Sequence, residues 1–190
     1  VGITPEDIGH IAINRGIPTI IDYFNKISAE KIINNYGKPD VITATNVFAH
    51  IDNPNEVMEN ISSLLKKDGI FIVEVHYLKS LIELNQYDTI YHEHMRYYSL
   101  ESINNLLSLH GFNIFKVKLI NTHGGSIRIF ATRSTKYKID KSFYQTLNEE
   151  KKFLYEDKNI TKYKYLVQKK KLDLIKTLID LKQNGNRISA

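Results

Sequence analysis

Three short β-branched apolar runs alternate with helix-patterned segments through the first 75 residues. That alternation restricts the chain to a parallel sheet covered by helices. Residues 17–24, 40–47 and 70–75 have the length and composition of strands, and Val1-Gly2-Ile3 reads as the tail of another. The segments between them predict helices. Over residues 5–14, Pro5 stands in the first turn, Glu6 and Asp7 suit the positive helix end, and Gly16 is the stop. Residues 28–36 end at Gly37, and residues 54–67 carry the stripe Val57, Met58, Ile61, Leu64 and Leu65 before Asp68-Gly69. Open sheets of this kind bind ligands at the carboxyl ends of their strands. The places to look therefore follow Ile3, Phe24, Thr45 and Val75.

Beyond residue 76 the pattern loosens. Residues 77–98 are rich in aromatic, histidine and acidic side chains without a clean period. Ser99 then caps a predicted helix running to His110, with Gly111 as its stop. Residues 112–120 and 126–133 predict two strands joined by Asn121-Thr122-His123-Gly124-Gly125, and so an antiparallel pair. From residue 140 to 182 the sequence predicts one or two long amphipathic helices, with Leu147, Leu154, Leu166, Leu172, Ile175 and Leu178 buried. The expected organisation is an α/β core over residues 1–135 and the helical start of a second domain over 136–190. Val1 is no start methionine, and Asn186-Arg187-Ile188 resembles the opening of a further strand, so the chain reads as a piece of a longer protein.

Composition narrows the partners. No apolar run reaches the length of a bilayer span, and no signal-peptide pattern opens the chain, which argues against a membrane. There is no cysteine, so disulfides and thiolate metal sites are excluded, and a reducing, cytoplasmic compartment is expected. The net charge of +5 raises nucleic acid as a partner. Many of the lysines, however, fall between Lys136 and Lys182, where spaced charges make the solvated face of a helix. No nucleic-acid partner is expected. A basic surface equally suits an anionic small substrate such as a nucleotide diphosphate.

Three stretches carry candidate chemistry. In the loop after residues 40–47, backbone carbonyls and Asn46 suit the amino-acid end of a cofactor, and His50 either reaches a substrate or caps the next helix. Tyr91-His92-Glu93-His94 packs three ionisable groups and a phenol into four residues. It admits metal binding, general-base chemistry with an imidazole oriented by a carboxylate, or a polar surface loop. His123-Gly124-Gly125 is a glycine turn that permits left-handed backbone or close ligand approach.

The stretches GITPEDIGHIAINRGIPTIIDYFN, DVITATNVFAHIDN, YDTIYHEHMRYYSLESINNLL and THGGSIRIFATR together resemble the sugar C-methyltransferase family, in its order and spacing. The resemblance covers roughly residues 1–135. It implies a Rossmann-like class I methyltransferase fold, a parallel sheet closed by an antiparallel hairpin and followed by C-terminal helices. It implies S-adenosylmethionine as cofactor and transfer of its methyl group to the carbon beside the ketone of a keto-sugar nucleotide, as in deoxysugar biosynthesis. Family members also carry an N-terminal zinc module and a glycine-rich loop. Neither is in these residues, so no metal is expected here, and the 190 residues alone are expected to be inactive.

Residue by residue, the resemblance places His50, Tyr91, Glu93 and His94 on the family's catalytic positions, and His92 on a variable one. Thr4, Tyr23, Phe24, Thr45 and Asn46 fall at the expected cofactor positions, and His123, Gly124 and Gly125 at the substrate. At the position of Thr4 class I methyltransferases usually have an acidic residue for the cofactor ribose; here Glu6 follows two residues on. The implied chemistry makes His94 the base, Glu93 the group that orients it, and Tyr91 or His50 the donor to the enolate oxygen. Alternative readings are a methyltransferase acting on a hydroxyl and a non-catalytic nucleotide-binding domain.

Overall fold

The computed structural model describes residues 1–189. Its first unit is β1 (Gly2–Thr4), α1 (Ile8–Asn14) and β2 (Thr19–Ile21), with β1 and β2 paired in parallel as a two-stranded sheet. The expected strand over residues 17–24 is thus three residues long. Asp22 ends it by accepting the Tyr23 amide on its own carboxylate, which turns Tyr23 and Phe24 into the following loop. Next comes α2 (Lys26–Tyr36), whose start is fixed by a reciprocal cap: Asn25 Oδ1 accepts from Ser28 N at 3.0 Å, and Ser28 Oγ accepts from Asn25 N at 2.9 Å.

The main sheet contains β3 (Val41–Thr45), β4 (Ile70–His76), β5 (Asn113–Ile120) and β6 (Ser126–Thr132), in the order β3-β4-β6-β5. β3 and β4 are parallel and are joined by α3 (Pro54–Leu64), which Asn53 caps and Pro54 begins. β6 pairs antiparallel with both β4 and β5, as the sequence of the terminal hairpin predicts. The connecting turn is tight, however, with His123 itself left-handed at φ 53°. Between β4 and β5 lie α4 (Leu78–Glu83), which the sequence pattern did not disclose, and α5 (Leu100–Leu109), capped reciprocally by Ser99 and Ser102.

Phe48, Met58, Phe71, Leu100, Phe112 and Ile129 lead a single apolar core between sheet and helices. Each is nearly or wholly inaccessible to water, and such burial stabilises by about 1.5–3 kcal/mol per large side chain. The core continues past residue 135, because α6 (Lys141–Leu154) adds Phe143 to it and packs on β5. Glu150 of α6 is fully buried, and its carboxylate accepts the amides of Leu100 and Glu101. It thereby satisfies two orphan donors at the first turn of α5 and places a negative charge at that helix's positive end.

The last helix departs from expectation. α7 (Asp157–Gln183) is about 40 Å long at 1.5 Å per residue, and no residue in it is buried. Leu172, Ile175 and Leu178 are exposed and Leu166 is only half-buried, because α7 meets the body through α4 and α6 near its start and then runs clear. Leu147 and Leu154, on α6, are half-buried, Leu147 against the core. Residues 186–189 form no strand.

Two stability measurements follow. Glu150→Ala, which leaves the buried Leu100 amide and the half-buried Glu101 amide without their acceptor, should lower unfolding free energy by about 2–4 kcal/mol in a denaturant titration. Leu172→Ser, on the open stretch of α7, should change it by less than about 0.5 kcal/mol.

Candidate active site

The strand tips of β3 and β4 open onto two cavities. The larger, about 980 Å³, lies between the β1–β2 unit and β3, and its walls include Thr4, Asp22, Tyr23, Phe24, Val47 and His50. The smaller, about 570 Å³, is lined by Asn46, Ala49, His76, Tyr91, His94 and His123, among others. Between them stands the 3-10 turn Phe48–His50, whose residues divide: Phe48 and His50 line the larger cavity and Ala49 the smaller. The chain reaches this turn through Asn46, left-handed at φ 55°, a conformation Asn tolerates better than most residues. Its amide is held by Glu74 O at 2.9 Å.

His94 has a defined proton arrangement. Its Nδ1 lies 2.9 Å from Thr89 O, and a carbonyl only accepts, so Nδ1 carries the hydrogen. In the neutral ring Nε2 is then a bare lone pair, and the Tyr91 hydroxyl donates to it at 3.2 Å. The Tyr91 and His94 rings lie against each other with centroids 4.3 Å apart. Thr89 O also accepts from the Tyr97 hydroxyl at 3.3 Å, and burial pushes the Tyr97 phenol above its ordinary range.

His50 is held by the same logic. Its Nδ1 donates to Glu93 O at 3.0 Å, leaving Nε2 unprotonated in the neutral ring, and its ring centroid is 5.0 Å from that of His94. The loop carrying His50 is fastened to the segment carrying His94 by three further bonds. Met95 N donates to Ala49 O at 3.0 Å, and the Arg96 guanidinium donates to Ile51 O and, at 2.8 Å, to Asp52 O.

Several expectations need correction. Glu93 does not orient His94: a backbone carbonyl does, while Glu93 is exposed and, among the described residues, no hydrogen bond or ion pair reaches its carboxylate. Only its own backbone carbonyl contributes, by holding His50. His50 as a neutral ring has no spare hydrogen, so it can donate to a substrate oxygen only as the imidazolium. Residues 91–94 form a turn, which His94 N closes on Tyr91 O at 3.1 Å. Thr4, Tyr23 and Phe24 do line one cavity, but Asn46 faces the other, and Thr45 lines neither.

The turn after β5 is also different in kind. His123 and Gly124 line the smaller cavity, whereas Gly125 does not. A Cβ on Gly124 would stand 2.2 Å from Gln86 Nε2, and one on Gly125 would stand 2.7 Å from Ser80 Oγ. These glycines make room for neighbouring protein side chains rather than for a ligand. The sequence did not disclose Thr89, Gln86 or Arg96. Thr89 acts through its backbone, which no residue type announces. Arg96 and Gln86 reach partners 38 to 45 positions away in the chain. Among the described residues no group of three histidine or acidic side chains is placed to hold a metal, and no helix is long and apolar enough to cross a membrane.

Comparison with known proteins bears on this arrangement. Residues 3–117 match the family model described as methyltransferase domain, and residues 121–190 match one described as C-methyltransferase C-terminal domain. The C-methyltransferase NovU of Streptomyces niveus is 40% identical over 132 residues, covering 69% of this chain and 31% of that protein. The chain thus spans about a third of the length of that relative. Among solved structures, an S-adenosylmethionine-dependent methyltransferase from Thermotoga maritima superposes with a TM-score of 0.52 at 19% identity, over 70% of this chain and 73% of that one. The likeness establishes the α/β class I methyltransferase fold.

The fastening of the two loops has a measurable signature. Arg96→Ala should speed hydrogen exchange of the Met95 amide about tenfold, since local opening then costs about 1.4 kcal/mol less. Unchanged exchange would show that the guanidinium does not secure the loops.

Proposed function

The chain belongs to the methyltransferase-domain family, and on that premise we propose that it carries the reaction centre of a C-methyltransferase acting beside the ketone of a sugar nucleotide. The observation that carries the proposal is the bare Nε2 of His94, presented at the wall of the smaller cavity with its tautomer set from behind by Thr89 O. Removal of a hydrogen from carbon beside a carbonyl needs a positioned base with a free lone pair, and the neutral imidazole supplies one.

The larger cavity fits S-adenosylmethionine. Its volume of about 980 Å³ is ample for the molecule, Tyr23, Phe24 and Val47 offer aromatic and aliphatic walls for a purine, and Asp22 has one carboxylate oxygen beyond the one that accepts the Tyr23 amide. Thr4 is less suited to a ribose hydroxyl, because its Oγ1 already accepts the Glu6 amide at 3.2 Å. The cofactor supplies an electrophilic methyl group. These residues would hold it on the His50 side of the Phe48–His50 turn, with the acceptor on the His94 side.

The acceptor's C–H replaces the Tyr91 hydroxyl at His94 Nε2. That nitrogen takes the proton, and the positive charge formed on the ring is shared with Thr89 O through the Nδ1 hydrogen bond. The displaced Tyr91 hydroxyl is then free to donate to the neighbouring ketone oxygen, where negative charge develops. Placing both groups beside one carbon lowers the barrier chiefly by positioning. Glu93 is given no part in these steps.

The test uses a chain that includes the family's glycine-rich loop. In heavy water with a 4-keto-sugar nucleotide, the carbon beside the ketone should take up deuterium, and methyl transfer should follow. His94→Gln should slow both by about 10²–10⁴-fold. Methyl transfer without solvent exchange would replace this reading with transfer to a hydroxyl; binding without transfer would leave a nucleotide-binding domain. We propose also that the 190 residues alone do not turn over, and measurable product from them would refute that.

A further inference from the structure

Besides Tyr91 and His94, the smaller cavity is lined by a chain of contacts that runs His76–Gln86–Gly124. Gln86 Nε2 lies 2.6 Å from Gly124 O, and Gln86 Oε1 lies 2.7 Å from His76 Nε2. The orientation of the carboxamide is forced. Gly124 O accepts only, so the NH₂ end must face it; Oε1 then faces His76 and accepts, so His76 Nε2 carries a hydrogen. The neutral His76 ring has its lone pair at Nδ1, the reverse of His94 and His50, whose hydrogens are on Nδ1.

Local backbone serves this placement. Asn85, just before Gln86, is left-handed at φ 54° and buried, a conformation a non-glycine residue holds only where its surroundings impose it. The Gln86 amide closes back on Leu81 O at 2.9 Å. On the other side, His123 is left-handed too, and Gly124 lies so close to Gln86 that no side chain fits there. His123 itself makes no side-chain hydrogen bond among the described residues, so its position over the cavity depends on how its turn is held.

We propose that Gln86 is a positioning residue for the acceptor cavity: one carboxamide holds the His123–Gly124 turn over the cavity and fixes His76 with its hydrogen on Nε2. The role in acceptor binding rests on the function proposed above; the proton arrangement does not, and it can be read without turnover.

The experiment is imidazole nitrogen NMR on this chain at about pH 8, where an ordinary histidine is neutral. Wild type should show His76 protonated at Nε2. Gln86→Met, of similar shape but with neither donor nor acceptor, should lose that preference and shift the His123 resonances. Gln86→Glu should keep the His76 hydrogen on Nε2, because a carboxylate accepts, yet still disturb His123, because it cannot donate to Gly124 O. A wild-type His76 protonated at Nδ1 overturns the proposal whatever the variants do. So does a folded Gln86→Met protein with His76 and His123 unchanged. In a turning-over enzyme, Gln86→Met should raise KM for the acceptor roughly tenfold while moving kcat far less, the pattern of lost ground-state binding. Equal losses in kcat and kcat/KM would contradict a role in acceptor binding. Absence of turnover in a wild-type protein that includes the glycine-rich loop, with the NMR pattern intact, would count against the proposed reaction and leave the proton arrangement set by Gln86 standing.

Discussion

A backbone carbonyl has lone pairs and no hydrogen, and that one-way chemistry organises the whole site. Thr89 O, Glu93 O and Gly124 O each face a group that must then donate, and in this way three histidines acquire defined proton positions without a buried charge. A carboxylate in the same role would introduce a second ionisable group with its own demand for solvation. Carbonyl orientation avoids this, and it needs only that the loops carrying the carbonyls be stiff. The bonds from Met95 to Ala49 and from Arg96 to Ile51 and Asp52 provide that stiffness where the loops meet.

The fold beneath was largely legible in the sequence. Val57, Met58, Ile61 and Leu64 announce α3 because a helix one face of which is buried must repeat its apolar residues every three or four positions. Ser99 marks the start of α5, and the break at residues 121–125 marks the turn between β5 and β6. What was not legible depends on long-range contact. Leu172, Ile175 and Leu178 illustrate this: periodicity shows that a helix has an apolar face but not whether anything lies against it.

The site was legible as a collection of residues and not as an arrangement. Tyr91 and His94 come together because a turn brings positions three apart into contact. Glu93, adjacent in sequence and chemically suited to steady an imidazole, points elsewhere, since neighbours in an extended or turning chain diverge. Glycines at 124 and 125 suggested ligand approach, yet the space they leave is taken by Gln86 and Ser80. Residue type states what a side chain is able to do, and only the folded path states to whom.

Glu150 ties α6 back to the start of α5. Because its carboxylate completes the opening turn of α5, while Phe143 fills part of the core, trimming the polypeptide after β6 would not release a tidy module. It would strip acceptors from helix amides 50 positions upstream and open the apolar core on the side that Phe143 closes. Anyone dividing this polypeptide for expression should therefore keep α6 with the sheet, and place any cut beyond Leu154.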